Sequence, residues 1–451
     1  MKKSIASLIL ILFIQCCWIS SVTAQEVTTP ANALQHYLHN GDKTFHWALK
    51  DSFETEGVTG YDLLLTSQQW RQYTWRHQLT ILSPKENKYD GALLFITGGH
   101  NEDGKPHWTG PDNQLTKRLG ALAAKNKAIV AIIRQVPNEP LFDSLVEDQI
   151  ISYTLHQFKK DTDYTWPLLF PMVKSAVRAM DAVQEFASGA LRHPVTRFVV
   201  SGASKRGWTT WLTGASDPRV TAIGPMVIDI LNMPVNLAHQ MKAYGGYSVE
   251  IQDYVNLGIV QGIRSKSGKA LVTMIDPYSY RGKLTMPKML FMGTNDPYWV
   301  IDNVKNYLPA IPGDNLLHYV PNAGHDLGDG KSAFRALSAF FGITMAKGRY
   351  PVCTWKTKGN KKGVRLTVDA TKAILTDAVL WYADSRDEDF RNDKWYSKDL
   401  GIKNRSRIKV SERFPASGYR AFYLDLKYRD PNGGEYTVST RAFMTDTGHI
   451  L

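Results

Sequence analysis

Three residues of this 451-residue sequence stand where an acyl-transfer centre would need them: Ser204, Asp296 and His325. Ser204 lies in Gly202-Ala203-Ser204-Lys205-Arg206-Gly207, between a strand-like run at 197–201 and the helix-compatible Trp208-Thr209-Thr210-Trp211-Leu212. A serine on such a sharp strand-to-helix turn projects its hydroxyl above a sheet, and the helix start behind it favours developing negative charge. The plainer use of the same serine is as a helix N-cap. Asp296 follows an apolar run at 289–292 in Gly293-Thr294-Asn295-Asp296-Pro297, and His325 follows one at 316–320 in Pro321-Asn322-Ala323-Gly324-His325-Asp326. Ser, then Asp, then His, each just past a strand end, is the triad order of α/β-hydrolases. The chemistry needs all three, because His325 takes the serine proton while Asp296 fixes the imidazole tautomer and offsets its charge. Asp326, Asp276 and Asp229 compete for the acid's place; Asp326 is disfavoured because neighbouring side chains on a loop diverge.

The run at 92–96 ends in Thr97-Gly98-Gly99-His100, where glycines let backbone N–H groups approach a substrate oxygen. The N–H groups of Gly99 and Lys205 are the expected oxyanion donors. The Lys205 side chain either lends charge to the oxyanion or to a substrate carboxylate, or is solvated. Gly98, His100, Trp208, Tyr298 and Trp299, with Trp108, are candidates for a pocket wall, core packing being the ordinary use of such aromatics. No metal or organic cofactor is required. His36-x-x-His39 lacks a nearby Cys, Asp or Glu to complete a ligand set and reads as a surface pair. Glu147-Asp148 either meets a substrate amine or complements a helix dipole.

The elements that must hold these residues are legible in the hydropathy pattern. Alternating stretches at 61–65 and 75–82, separated by Ser67-Gln68-Gln69, predict an antiparallel hairpin. Continuous apolar runs at 92–96, 128–133 and 198–200 predict strands buried on both faces of a parallel sheet. Further strands are expected at 220–228, 289–292 and 316–320, with a helix at 331–341. Between them Met172, Val173, Ala176, Val177, Met180, Val183 and Phe186 recur at helical spacing behind Pro171. Strand and helix alternating in this way predict a mostly parallel sheet flanked by helices, with ligands at the carboxyl ends of the strands. Residues 230–284 break the rhythm and read as an insertion over the sheet. After Pro351, short strands at 364–368, 378–382, 419–428 and 436–443 predict a small β-sandwich, immunoglobulin- or fibronectin III-like, with its own core and no catalytic residue.

Composition bounds the rest. With 43% hydrophobic and 21% charged residues the chain can bury a sizeable core, which excludes a disordered class. The net charge of +12 is scattered rather than striped, which argues against sequence-specific nucleic-acid reading. Lys2 and Lys3, an apolar run at 5–19 and Val22-Thr23-Ala24 predict a cleaved signal peptide at 1–24 and export to the periplasm or beyond, with no further membrane span. Two of the three cysteines, Cys16 and Cys17, fall in that leader, so Cys353 is expected to be a lone thiol. The expected layout is a leader at 1–24, an α/β-hydrolase part at 25–350 and the sandwich at 351–451.

Four segments carry a resemblance to a known family: Gly202 to Trp208, the helix from Trp166-Pro167 to Met180-Asp181, Glu147 to Thr154, and Gly293 to Asp296. Together they resemble the PhoPQ-activated pathogenicity-related proteins, over nearly the whole chain after the leader and including Trp381, Asp389-Phe390-Arg391 and Trp395. The resemblance implies an exported protein of α/β-hydrolase fold. The spacing Gly-x-Ser-x-x-Gly, with a basic residue after the serine, is locally similar to glucuronoyl esterases. The expected activity is therefore that of a serine hydrolase acting on a small, carbohydrate-linked or other carboxylic ester. The alternatives are a serine peptidase of exopeptidase type, and a non-enzymatic secreted binding or signalling protein on a hydrolase fold.

Overall fold

The computed structural model describes residues 27–451. The expected signal peptide at 1–24 lies outside the described residues. The first strands are β1 (His46–Thr55), β2 (Val58–Trp70), β3 (Tyr73–Pro84) and β4 (Gly91–Ile96), followed by the two-residue pair β5 (Asn101–Glu102) and β6 (Lys105–Pro106). Next come β7 (Ile129–Ile133), β8 (Arg197–Ala203), β9 (Val220–Met226), β10 (Lys288–Gly293) and β11 (Asn315–Val320). The helices of this part are α1 (Ala33–Leu38), α2 (Gln114–Asn126), α3 (Glu147–Asp161), α4 (Leu169–Gly189), α5 (Lys205–Ser216), α6 (Met233–Tyr244), α7 (Gln252–Asn256), α8 (Lys266–Ile275) and α9 (Lys331–Met345). None of the described helices is long and apolar enough to cross a membrane.

Every residue of β4, β7 and β10 is buried, the property that made these strands legible as unbroken apolar runs. The sheet runs in the order β1-β2-β3-β7-β4-β8-β9-β10-β11 and is parallel from β7 to β11. Its nine strands end with β8, β10 and β11 presenting their carboxyl ends on one side, where Ser204, Asp296 and His325 follow. The apolar face of α4, from Met172 through Phe186, packs on one side of the sheet, and α2 and α9 cover the other.

The expected hairpin exists, but Ser67-Gln68-Gln69 is strand rather than turn, and the chain reverses after Trp70. These polar residues tolerate burial because each finds a partner. The Ser67 hydroxyl meets His77 Nε2 at 2.9 Å and Ser175 at 3.2 Å, and Gln68 Nε2 donates to the Pro171 carbonyl at 2.8 Å.

The C-terminal strands are β12 (Cys353–Asn360), β13 (Gly363–Ala370), β14 (Leu375–Ser385), β15 (Tyr396–Asp399), β16 (Arg407–Arg413), β17 (Tyr419–Arg429), β18 (Glu435–Ser439) and β19 (Phe443–Thr445). They form two antiparallel layers, but an independent sandwich core does not result. β18 pairs with β11 at Leu317 and Ser439, so β18-β17-β14-β15 extend the main sheet to fourteen strands, while β12-β13-β16 form a second layer. The fourteenth strand of the main sheet is β19, which pairs with β17 off the main path. One hydrophobic cluster contains Leu316, Phe340 and Phe341 together with Val364, Leu366, Leu424 and Phe443. The expected strand at 436–443 is two strands, since Thr440 leaves the ladder to bond Leu424 through both its N–H and its hydroxyl.

Candidate active site

Ser204 sits between β8 and α5 at φ 58° and ψ −127°, a region that costs an L-residue free energy and is held only by its surroundings. Here the surroundings are tight. A Cβ at Gly207 would lie 2.7 Å from Ile228 and 2.8 Å from the Met226 carbonyl, so the helix approaches β9 only with glycine at that position. This explains the shifted glycine of the motif. Arg206, in the place where the common elbow has its second glycine, is committed elsewhere: Nε donates to the Val136 carbonyl at 2.6 Å, and the guanidinium grips Glu147 at 2.6 and 2.9 Å. Ser204 occupies the N-cap position, but its side chain makes no capping bond. The plainer use of this serine is therefore absent.

Asp296 and His325 meet. His325 Nδ1 donates to Asp296 Oδ2 at 2.8 Å, and the other Asp296 oxygen accepts the Tyr298 N–H at 2.9 Å. With the proton on Nδ1, Nε2 is the basic nitrogen, and it is buried with no hydrogen-bond partner among the described residues. Tyr298 lies over the imidazole with ring centroids 4.2 Å apart. The competing acids point elsewhere. Asp326 is exposed and accepts the Gly328 N–H, and Asp276 accepts the N–H groups of Asn232, Met233 and Tyr278. Burial pushes the Asp276 carboxyl up to about 6 and that of Asp229 up to about 7.

Gly99 has φ 135°, open to glycine alone, and the turn is pinned by Gln135 N–H on the Gly98 carbonyl at 3.1 Å. The Lys205 side chain is neither solvated nor free: its ammonium lies 2.5 Å from Glu147 and 3.3 Å from Asp148. Asp148 also accepts the Tyr254 hydroxyl at 2.8 Å. Burial favours neutral Glu147, but Arg206 and Lys205 outweigh it and hold the carboxyl below the usual range. Burial, together with the charge of Glu147, raises Glu139. Glu147 and Asp148 thus fasten α3 to the turn carrying Ser204, beyond any helix-dipole role.

A cavity of about 60 Å³ opens beside Ser204. Trp208, Tyr298 and Trp299 line it as expected, together with Met233, Leu237, Tyr254 and Ile263 from the insertion. Gly98, His100 and Trp108 do not line it; Gly98 packs on Arg206, and His100 and Trp108 stand in the exposed segment after β4. His36 lies on α1 and His39 caps its carboxyl end, where His36 Nδ1 meets the Thr28 hydroxyl and His39 Nδ1 the Gln35 carbonyl.

Sequence reasoning missed a clasp from the C-terminal part. Asn295 Nδ2 donates to the carbonyls of Asp393, Arg391 and Phe390 at 2.8, 3.1 and 3.3 Å. Asn322 exchanges two bonds with the Trp395 backbone at 2.8 and 3.0 Å. The loop at 386–395 thereby grips both the Asp296 loop and the His325 loop. Local sequence carries no signal for pairings across 73 or more residues.

A family model for the PhoPQ-activated pathogenicity-related proteins matches residues 34–391. The chain belongs to this family. Among relatives, this chain is 30% identical over 455 residues to autocrine proliferation repressor protein A of Dictyostelium discoideum, covering 93% of this chain and 90% of that protein. Solved structures with a similar course include acetyl xylan esterase 1 from a Thermoanaerobacterium species, at TM-score 0.48 and 18% identity, over 69% of this chain and 93% of that one. Another is an S-formylglutathione hydrolase from Agrobacterium tumefaciens, at TM-score 0.44 and 10% identity, over 66% of this chain and 99% of that one.

Proposed function

We propose that this protein is an exported serine hydrolase that cleaves small carboxylic esters. The observation that carries the reading is His325, held by Asp296 through Nδ1 with a basic Nε2 left unpartnered, on the strand-end side where the uncapped Ser204 lines a cavity. Ser204 Oγ attacks the ester carbonyl as its proton passes to His325 Nε2. The N–H groups of Gly99 and Lys205 receive the oxyanion. Collapse expels the alcohol, which takes the proton from His325 and leaves Ser204 acylated. Water then gives a proton to His325 Nε2 as it attacks the acyl carbon, and collapse releases the acid as Ser204 Oγ takes that proton back. Asp296 keeps its charge throughout.

The apolar cavity of about 60 Å³ favours a short acyl group. Both oxygens of Asp148, the one carboxylate on its wall, are engaged by Lys205 and Tyr254, so no free anion waits there for the ammonium of a peptide N-terminus. This supports an esterase over an exopeptidase. The leader at 1–24 supports export, and the layout 25–350 with cover 230–284, then 351–451, goes with the reading. The relative named for autocrine repression of proliferation favours a second reading, a secreted signalling protein on the same fold.

Labelling with a fluorophosphonate separates the two. The expected result is one modified residue, Ser204, no labelling of a folded Ser204→Ala protein, and faster cleavage of p-nitrophenyl acetate than of the octanoate or an aminoacyl anilide. Labelling that persists in Ser204→Ala removes the assignment, and an unlabelled wild-type protein favours the signalling reading.

A further inference from the structure

The segment after the Gly98-Gly99 turn holds a second group of chemistry-bearing side chains, outside the cavity and unused by the proposed reaction. β5 and β6 form a hairpin closed by the two-residue loop Asp103-Gly104, with φ of 49° and 70°. Positive φ at both loop positions is the tight turn whose twist suits paired strands. The base of the hairpin is fixed on three sides: His107 N–H donates to the His100 carbonyl at 3.0 Å, Asn101 N–H to the Glu139 carbonyl at 2.8 Å, and Gln135 Nε2 to the His107 carbonyl at 3.1 Å. At the tip, Arg76 holds the Gly104 carbonyl at 3.0 Å.

On this platform His100 and His107 face each other with stacked rings 4.5 Å apart, and Glu102 lies on the same face two residues from His100. Glu102 Oε1 is 3.3 Å from His100 Nε2 and 3.7 Å from His107 Nδ1, and all three ligand atoms fall within 4.8 Å of one another. Bonds of about 2.05 Å to a tetrahedral zinc place neighbouring ligand atoms about 3.3 Å apart, close to the spacing here, and rotation of the two stacked rings out of their parallel arrangement aims both nitrogens at one ion. Among the described residues no lysine or arginine pairs with Glu102, although Lys105 stands opposite it across the hairpin. Among the described residues no other group of His, Cys, Asp and Glu meets this geometry.

We infer that His100, Glu102 and His107 form a binding site for one divalent transition-metal ion, zinc or a close analogue, with a fourth position open to water. Two imidazoles and one carboxylate suit zinc, nickel and copper and disfavour magnesium and calcium, which prefer all-oxygen shells. The site is independent of the hydrolase reading. Because His100 directly follows Gly99, the ion also ties the hairpin to the turn beneath it.

The test uses the full chain without a polyhistidine tag, stripped with EDTA and titrated with zinc chloride by calorimetry, with cobalt absorption as a second readout. One equivalent is expected to bind in the micromolar range and to raise Tm. His100→Ala, Glu102→Gln and His107→Ala, all exposed positions that leave the fold intact, should each weaken binding by at least about tenfold, no less than loss of a hydrogen bond behind a metal ligand costs. His36→Ala and His39→Ala should leave it unchanged. Absence of saturable binding, equal affinity for magnesium, or binding that survives the His100→Ala/His107→Ala double variant would overturn the site.

Discussion

At the residue scale the division of labour between acids is set by environment. Asp296 is engaged through both oxygens, one by His325 and one by the Tyr298 N–H. Asp229 is buried with Oδ1 unpartnered, and burial keeps it protonated up to about 7. A neutral acid cannot offset an imidazolium, so Asp296→Asn should lower turnover by about four orders of magnitude. Asp326→Asn and Asp229→Asn should each leave it within a few-fold, measured on the substrate that labelling competition identifies. Asp229 also predicts a pH signature. Its folded pKa lies above the unfolded 3.8, so the proton it binds stabilises the fold at low pH, and this contribution is lost as pH rises from about 4 to 7. Relative to wild type, Asp229→Asn should gain stability across that window, by a few kcal/mol at most, in urea melts at fixed pH values. A flat difference would mean that the carboxyl ionises normally. The strand-end placement of Ser204, Asp296 and His325 was legible in sequence because each comes shortly after an apolar strand. The ion pairs of Arg206 and Lys205 with Glu147 were not legible, because their partners lie about sixty positions away.

At the element scale, His77 and His318 show how the sheet depends on neutral imidazoles. Each Nδ1 donates to a carbonyl, of Arg134 and of Thr437, and each Nε2 faces a serine hydroxyl. Burial drives both pKa values down to about 4. The unfolded chain takes up these protons near 6.5 and the folded chain only near 4, so both groups stabilise the protein at neutral pH and lose that contribution as pH falls through this interval. His318→Gln should therefore flatten the acid limb of the stability curve between about pH 6.5 and 4, at some cost in stability near pH 7; an unchanged limb would contradict it. The clasp is the other element-scale device. Asn295→Ala and Asn322→Ala should lower kcat by about ten- to a hundredfold with little change in KM, since a shift of about 1 Å in a catalytic group has effects of this size. A change confined to KM would place the clasp in substrate binding instead. Of the strands missed in sequence, β1, β12 and β15 are exposed along most of their length and gave hydrophobic periodicity little to report, whereas β16 carries an alternation at Ile408 and Val410 that was overlooked.

At the scale of the whole molecule, the continuation of the sheet from β11 into β18 decides what can be removed. An accessory module with its own core would be dispensable, and the expectation of a sandwich rested on a change of pattern after Pro351. Pattern cannot reveal whether two sets of strands share an edge, and here they do. Truncation near Gly348 exposes the edge of β11 and one side of α9, and strips both asparagines of their partners. Such a protein should aggregate or, if soluble, label weakly with fluorophosphonate, whereas the intact chain should melt in a single transition by calorimetry. A stable truncated form with full labelling would restore the accessory reading.

That shared edge also sets an order in time. A chain made from its amino end acquires Ser204, Asp296 and His325 well before Trp395 and Ser439, the residues that steady the two loops and seal β11. The contacts that steady the two loops are therefore the last to form during synthesis. Unfinished chains interrupted between His325 and the loop at 386–395 hold Ser204, Asp296 and His325 without the contacts that Asn295 and Asn322 make to that loop.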